Sequence, residues 1–119
     1  MSYSEHVRRW SRLASEVEEG YPLTLGDYAN DLVLRDAIKE LLDASSPAVR
    51  EQRLGELASI DHAFWAATQP ARESAWLNTT DPERWWWFRI PRVLLEDMAR
   101  DVAVYGALGR SDGANNSDP

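Results

Sequence analysis

The sequence predicts an all-α protein, a single-domain bundle of about four helices with a Trp-rich connecting segment between the third and fourth helix. Its 119 residues, 44% hydrophobic and 28% charged, have the balance of one ordinary globular domain. Apolar residues recur with the period of an α-helix over most of the chain. Capping residues, proline and glycine separate these periodic stretches. We therefore expect a helical domain over residues 1–106 and a disordered polar tail over residues 107–119.

The first helix begins with a capping box. Ser2 and Glu5 have the spacing at which each side chain binds the other's backbone N–H, and Gly20 follows the last periodic residue, Glu19. One face of this helix is apolar, whereas the opposite face carries pairs of opposite charge. The apolar face consists of Tyr3, Val7, Trp10, Leu13, Ala14 and Val17.

The second helix extends over residues 24–44 and has two apolar faces. Thr24 and Asp27 form its N-terminal cap. Apolar residues before Asn30 and after Asp36 lie on nearly opposite faces, so the helix either breaks in that interval or is central and covered on both sides. The interval contains no Gly or Pro, which favours one central helix.

Two aspartates on this helix are candidates for a metal site. Asp27 and Asp31 lie four residues apart on one face, where a carboxylate pair is able to hold a divalent ion. The favoured interpretation is that Asp27 caps the helix and Asp31 pairs with Arg35, four residues further on. No metal or other cofactor is therefore predicted.

Ser46 followed by Pro47 indicates the start of a third helix, which can continue to Gln69 ahead of Pro70. This helix has a main apolar stripe and a narrower second row, which we expect to receive the Trp-rich segment. The main stripe is Val49, Leu57, Ile60, Phe64 and Ala67, and the second row is Leu54, Ala58, Asp61 and Trp65.

The rest of the chain is predicted to be a loop, a fourth helix and the polar tail. Residues 71–84 show no sustained period and contain Asn, Thr, Asp and Pro in succession, as loops do. After Pro91 a last helix is expected to place apolar residues on its inner face. These residues are Leu94, Leu95, Met98, Val102 and Tyr105.

Charge and motif content exclude several classes of function. The net charge of −7 disfavours binding to duplex DNA, whose phosphates it repels. Without cysteine, the chain has no disulfide framework, thiolate nucleophile or zinc–thiolate site. The two histidines lack the spacing of a helical metal site, and there is no phosphate loop or Gly-x-Ser-x-Gly motif. No signal peptide or membrane span is recognisable, so a soluble, cytoplasmic protein is expected. Because no catalytic motif is found, we expect the protein to be non-catalytic.

The most informative stretch is residues 84–92, here called the Arg/Trp segment. Four large rings follow one another, from Trp85 to Phe88, with arginines on either side and no acidic residue among them. A helix and a strand both direct four consecutive side chains to more than one face, so one core contact can hardly cover all four rings. The residues predicted to bind a partner are Arg84, Trp85, Trp87, Arg89 and Arg92.

Three interpretations of the Arg/Trp segment compete. In the first, it is structural: Trp86, Phe88 and Ile90 fill the core, while the outer surface is formed by Trp85, Trp87 and Arg89. In the second it is a protein-docking surface, because Trp and Arg are enriched at interface hot spots. In the third it holds an anion, stacks single-stranded bases or seats at a membrane interface, which the acidity of the chain disfavours. The first two are compatible.

Three runs resemble sequences of small bacterial proteins, but the resemblance implies no activity. They are Tyr28-x-Asn30-x-Leu32, then Leu57-x-x-Ile60-Asp61-x-x-Phe64-x-x-x-Thr68, and then the aromatic cluster before Ile90-Pro91-Arg92.

The leading functional hypothesis is a small acidic protein-interaction domain, with an inhibitor or immunity-type protein as its narrower form. Its partner would be another protein, as a hetero- or homo-oligomer. The alternative is a ligand-binding protein or enzyme whose aromatic rings line a pocket where Arg89 or Arg92 holds a small anionic ligand. A pocket with convergent polar groups would favour the alternative, and an exposed Trp patch the interaction domain.

Overall fold

The computed structural model, which describes residues 2–71 and 81–105, confirms an all-α fold of four helices. The predicted tail, and residues 72–80 of the predicted loop, lie outside the described residues. The helices are α1 (Tyr3–Glu19), α2 (Leu25–Asp43), α3 (Pro47–Ala66) and α4 (Glu96–Tyr105). Between α3 and α4 lie a short strand β1 (Thr68–Pro70), one 3-10 turn (Trp85–Phe88) and a second short strand β2 (Arg89–Pro91).

The three helix starts predicted from capping residues are all observed. Ser2 with Glu5 and Thr24 with Asp27 form complete capping boxes on α1 and α2. The hydroxyl of Ser46 accepts a hydrogen bond from the backbone of Val49 at the start of α3. These helix N-termini are predictable because the capping side chain lies within three residues of the unpaired backbone N–H group that it binds.

Helix α2 is one continuous central helix, as predicted from the absence of Gly and Pro between its two apolar faces. It packs against α1, α3, α4 and the 3-10 turn. Tyr28 and Leu32 from one apolar face and Ile38 and Leu42 from the other are all buried. The break considered near Asn30–Asp36 is absent, because neighbours on both sides cover the helix.

Helix α3 ends earlier than predicted, at Ala66 rather than Gln69. The hydroxyl of Thr68 donates to the carbonyls of Phe64 and Trp65, and the following residues pair antiparallel with β2. Gln69 is thereby opposite Ile90 in a two-stranded sheet. Strands of three residues are too short for a periodic pattern, so this sheet was not predicted.

The core is formed by the apolar faces of α1, α2 and α3, closed by the Arg/Trp segment. Some residues predicted for it are less buried: Tyr3, Val7, Ile60 and Leu94 are only partly covered, and Val49 and Leu95 are exposed. Val49 lines an open cleft beside the start of α1. Leu95 precedes the first residue of α4, so the helical phase assumed for it does not apply.

Asp31 and Arg35 do not form the predicted ion pair. Asp31 instead accepts a hydrogen bond from the hydroxyl of Tyr21 in the connector before α2. Arg35 reaches across to Asp61 on α3. Both partners are distant in sequence, whereas the prediction considered only neighbours on one helix.

We expect the fold to fail in alkali at the point where two buried phenols ionise. Tyr21 and Tyr28 pack edge to face at 5.4 Å, and burial raises the pKa of both hydroxyls well above the ordinary value of a tyrosine. Because the unfolded chain releases these protons more readily, their stabilisation is complete below about pH 10 and is lost as the pH rises beyond it. Circular dichroism and tyrosinate absorbance should therefore change together in an alkaline titration. Ionisation of all four tyrosines near pH 10 with the helical signal intact would contradict this.

Candidate functional site

The rings of the Arg/Trp segment are distributed by a 3-10 turn rather than by a helix or a strand. With three residues per turn, side chains three positions apart eclipse one another, so Trp85 and Phe88 share a face. Trp86 and Trp87 point elsewhere and are buried, whereas Trp85 and Phe88 are only partly covered. The predicted division, with Trp86 and Phe88 inside and Trp87 outside, assumed alternation and is wrong for Trp87 and Phe88.

Asp36 on α2 holds the buried side of this turn. Its carboxylate accepts hydrogen bonds from Nε1 of Trp86 at 2.9 Å and from Nε1 of Trp87 at 2.9 and 3.1 Å. Nη1 of Arg84 lies 3.0 Å from the same carboxylate. Three side chains from the segment thus share one acceptor, which orients both indoles.

Arg35 on α2 packs against the Arg/Trp segment at Trp86. Its guanidinium donates to both carboxylate oxygens of Asp61, at 3.1 and 2.9 Å, and lies 4.4 Å from the ring centroid of Trp86. Asp61 also accepts a hydrogen bond from Nε1 of Trp10. Nη1 of Arg35 is buried without a hydrogen-bond partner among the described residues. The ring of Trp86 offers this guanidinium a cation–π contact in place of an oxygen.

Arg89 and Arg92 bind the C-terminal end of α3. Arg89 donates from Nε to the hydroxyl of Thr68 and from Nη2 to the carbonyls of Trp65 and Thr68. Arg92 donates to the carbonyl of Ala66. Both cations therefore satisfy carbonyls at the negative end of the helix dipole. Arg89 was predicted on the outer surface but is only 6% exposed, and its burial lowers its pKa.

The partly covered face of the turn opens into a groove of about 640 Å³, here called the aromatic groove. It is lined by Trp65, Pro70, Ala71, Pro82, Trp85, Phe88 and Arg89. Trp65 is 49% exposed and is the one aromatic residue among the exposed large apolar side chains of the described chain. Its ring lies 5.5 Å from that of Trp85 at an angle of 60°, and the guanidinium of Arg89 stacks on it at 3.8 Å.

The described tryptophans fall into two groups according to their indole N–H. Trp10, Trp86 and Trp87 each donate to a carboxylate. Trp65 and Trp85, which line the aromatic groove, donate to no residue in the described part of the chain. A buried Tyr or Trp usually has its polar group satisfied, so the two free donors distinguish these rings from the structural ones.

The structure separates the five residues predicted to bind a partner. Trp85 and Arg89 line the aromatic groove. Arg84 and Trp87 belong to the network around Asp36, and Arg92 caps α3. Sequence reasoning placed Trp65 in the row that receives the Trp-rich segment, and it does contact Trp85. Its exposure was missed, since a ring can touch its neighbour and still face solvent.

Residues 2–71 and 81–105 contain no group of three or more acidic or histidine side chains placed to hold a metal ion. Over the same residues, no helix is long and apolar enough to cross a membrane.

No protein-family model, curated protein or solved structure matches the chain.

Proposed function

We propose that the protein is an interaction domain that binds an apolar segment of another protein in the aromatic groove. One observation carries the proposal: Trp65 keeps half of its surface exposed while its ring contacts both Arg89 and Trp85. Tryptophan is among the residues that contribute most to binding at interfaces, and a rigid ring loses little conformational entropy when a partner covers it.

The scaffold around Trp65 supports a preformed site. Arg89, which covers one side of the indole, is itself fixed by three hydrogen bonds to Trp65 and Thr68. Trp85 follows Arg84 and precedes two indoles anchored on Asp36. The groove walls are therefore positioned by buried polar contacts and need not reorganise on binding.

The arginines support this proposal over the binding of a small anionic ligand. Arg84 pairs with carboxylates, and Arg89 and Arg92 donate to backbone carbonyls of α3 and β1. The other described residues that line the groove are apolar. The net charge of −7 favours encounter with a basic partner, and an inhibitor or immunity-type role is the narrower form of the proposal.

Replacing Trp65 by alanine should remove partner binding while leaving the fold in place. A hot-spot ring contributes about 2 kcal/mol or more to binding, so the affinity should fall by roughly thirtyfold or more. The free energy of unfolding should fall by at most about 1–2 kcal/mol, because the ring is half exposed. Affinity capture from the native host, followed by titration with the purified captured protein, measures the first effect, and a thermal melt measures the second.

Leu23→Ala is the matched control, since Leu23 is 50% exposed and does not line the aromatic groove. It should bind the purified partner as the wild type does. Equal binding of the partner by wild type, Trp65→Ala and Leu23→Ala would show that the groove is not the docking surface.

A further inference from the structure

We infer that the segment bound in the aromatic groove is proline-rich, in the polyproline II conformation, with basic residues beside it. This inference rests on the proposed function and specifies its partner. Three properties carry it: the arrangement of the rings in the groove, the hydrogen-bonding groups there and the negative charge of the chain.

The rings form an angled wall of the kind that accepts a compact apolar ring. Trp65 and Trp85 meet at 60° with their centroids 5.5 Å apart, and Phe88 lines the same groove. Proline presents such a ring on a segment whose backbone is already extended, so little conformational entropy is lost on docking. Aromatic-lined grooves are the usual docking surface for polyproline II segments.

The hydrogen-bonding groups of the groove complement those of a proline-rich chain. Trp65 and Trp85 offer two indole N–H donors that bind no described residue. Among the described residues, the other side chains that line the groove, apart from Arg89, carry no polar group. A tryptophan donates only, and a proline residue offers a carbonyl acceptor and no N–H. Carbonyls of the bound segment can therefore accept from the indoles, and its prolines bring no donor that the groove would leave unsatisfied.

An added β-strand fits the groove less well. Pro70 lies at the end of β1 and Pro82 also lines the groove, and neither has an N–H to pair with an incoming strand. A strand from the partner would bury unpaired donors and acceptors there. A polyproline II segment keeps its backbone hydrated and needs no ladder of hydrogen bonds.

The net charge of −7 adds a preference for positive charge in the partner. Asp81 and Glu83 flank Pro82 in the chain with side chains 42% and 76% exposed, but they are not among the described residues that line the groove: Asp81 lies 3.6 Å from Nε of Arg84, and Glu83 lines a separate cleft beside Lys39. The carboxylate of Glu83 approaches Lys39 at 3.2 Å, but an exposed pair of this kind is weak and open to exchange. The charge of Arg89 is directed at carbonyls of α3 and β1. Arg or Lys next to the prolines of the partner would therefore be attracted by the acidic chain as a whole.

Selection from a library of random peptides on the immobilised full-length protein tests the inference without choosing the sequence in advance. Peptides are retained if they bind wild type and Leu23→Ala but not Trp65→Ala. We expect the retained peptides to be enriched in prolines three residues apart, the repeat of polyproline II, and in adjacent Arg or Lys.

The binding mode is then read from the indole N–H resonances of ¹⁵N-labelled protein. A selected peptide should shift the resonances of Trp65 and Trp85 and leave those of Trp10, Trp86 and Trp87 in place. Replacing its prolines by alanine should weaken binding about tenfold, through the loss of preorganisation and ring contact. Replacing its basic residues by glutamate should weaken binding most at low salt. Trp65→Phe, which keeps a ring but loses the donor, should bind more weakly than wild type and more tightly than Trp65→Ala.

Each outcome separates the inference from the proposed function. Retained peptides that depend on Trp65 but contain no proline, such as amphipathic helices, would overturn the inference and leave the groove as a docking site. Proline-rich peptides that bind Trp65→Ala equally well, or shift only the indoles of Trp10, Trp86 or Trp87, would overturn it too. Both proposals would be wrong if the host partner binds Trp65→Ala as tightly as wild type and the library yields no peptide whose binding depends on Trp65.

Discussion

Replacing Asp36 by alanine is expected to lower the free energy of unfolding by about 3–6 kcal/mol, the largest effect of any single polar substitution predicted for this chain. The change leaves the indole N–H groups of Trp86 and Trp87 without their acceptor and removes the carboxylate next to Arg84. Each buried donor without a partner costs about 1–3 kcal/mol. Urea unfolding followed by circular dichroism measures the loss.

Two variants on the same helix provide the comparison. Asp36→Asn retains a carbonyl oxygen and should lose clearly less stability than Asp36→Ala. Asp43→Ala removes an exposed carboxylate paired with Lys39 and should cost less than about 1 kcal/mol. If Asp36→Ala is no more harmful than Asp43→Ala, the carboxylate does not hold the Arg/Trp segment.

Replacing Phe64 by alanine should lower the free energy of unfolding by about 3–5 kcal/mol. Phe64 is fully buried, and its ring packs against Trp10 at 4.6 Å and Trp85 at 6.0 Å between centroids. The cavity left by the ring adjoins two bulky indoles that cannot collapse into it without displacing their neighbours. The loss is comparable to the whole stability of many small domains, so a thermal melt should show a large fall or no folded state.

Val33→Ala is the control for this substitution. Val33 lies on α2 and is 48% exposed, so its truncation should change stability by no more than about 0.5 kcal/mol. An unchanged melting temperature for Phe64→Ala would mean that the ring is not part of the core.

The helices could be predicted from the sequence because their determinants are local. Ser2, Thr24 and Ser46 each lie within three residues of the backbone groups that they cap. The continuity of α2 followed from the absence of Gly or Pro between its two apolar faces. Period and capping are both short-range properties, and they fixed the starts of α1, α2 and α3 and the place of most core residues.

The polar contacts could not be predicted in the same way, because they join residues far apart in the chain. Asp36 binds indoles 50 and 51 residues away, and Arg35 binds Asp61 from 26 residues away. A buried indole needs an acceptor, which was a usable signal for a carboxylate near the Trp cluster. Nothing in the sequence indicated which of the 20 acidic residues it would be.

The candidate site was predicted in part. The Arg/Trp segment does contribute Trp85 and Arg89 to the groove, but the guanidinium groups of Arg89 and Arg92 donate to carbonyls that α3 leaves free by ending at Ala66. That early end depends on the pairing of β1 with β2. Strand pairing joins residues that are far apart in the chain, so no local pattern could predict which groups Arg89 and Arg92 bind.

The division of labour among the tryptophans bears on how the protein can change over evolutionary time. The indoles bound to Asp36 and Asp61 are buried in the fold, whereas Trp65 is half exposed, so position 65 can change with little effect on the scaffold. Arg89 is the exception, since it closes the end of α3 and also stacks on Trp65. If the groove binds a partner as proposed, homologues with different partners should differ at the other positions of the groove and keep arginine at position 89.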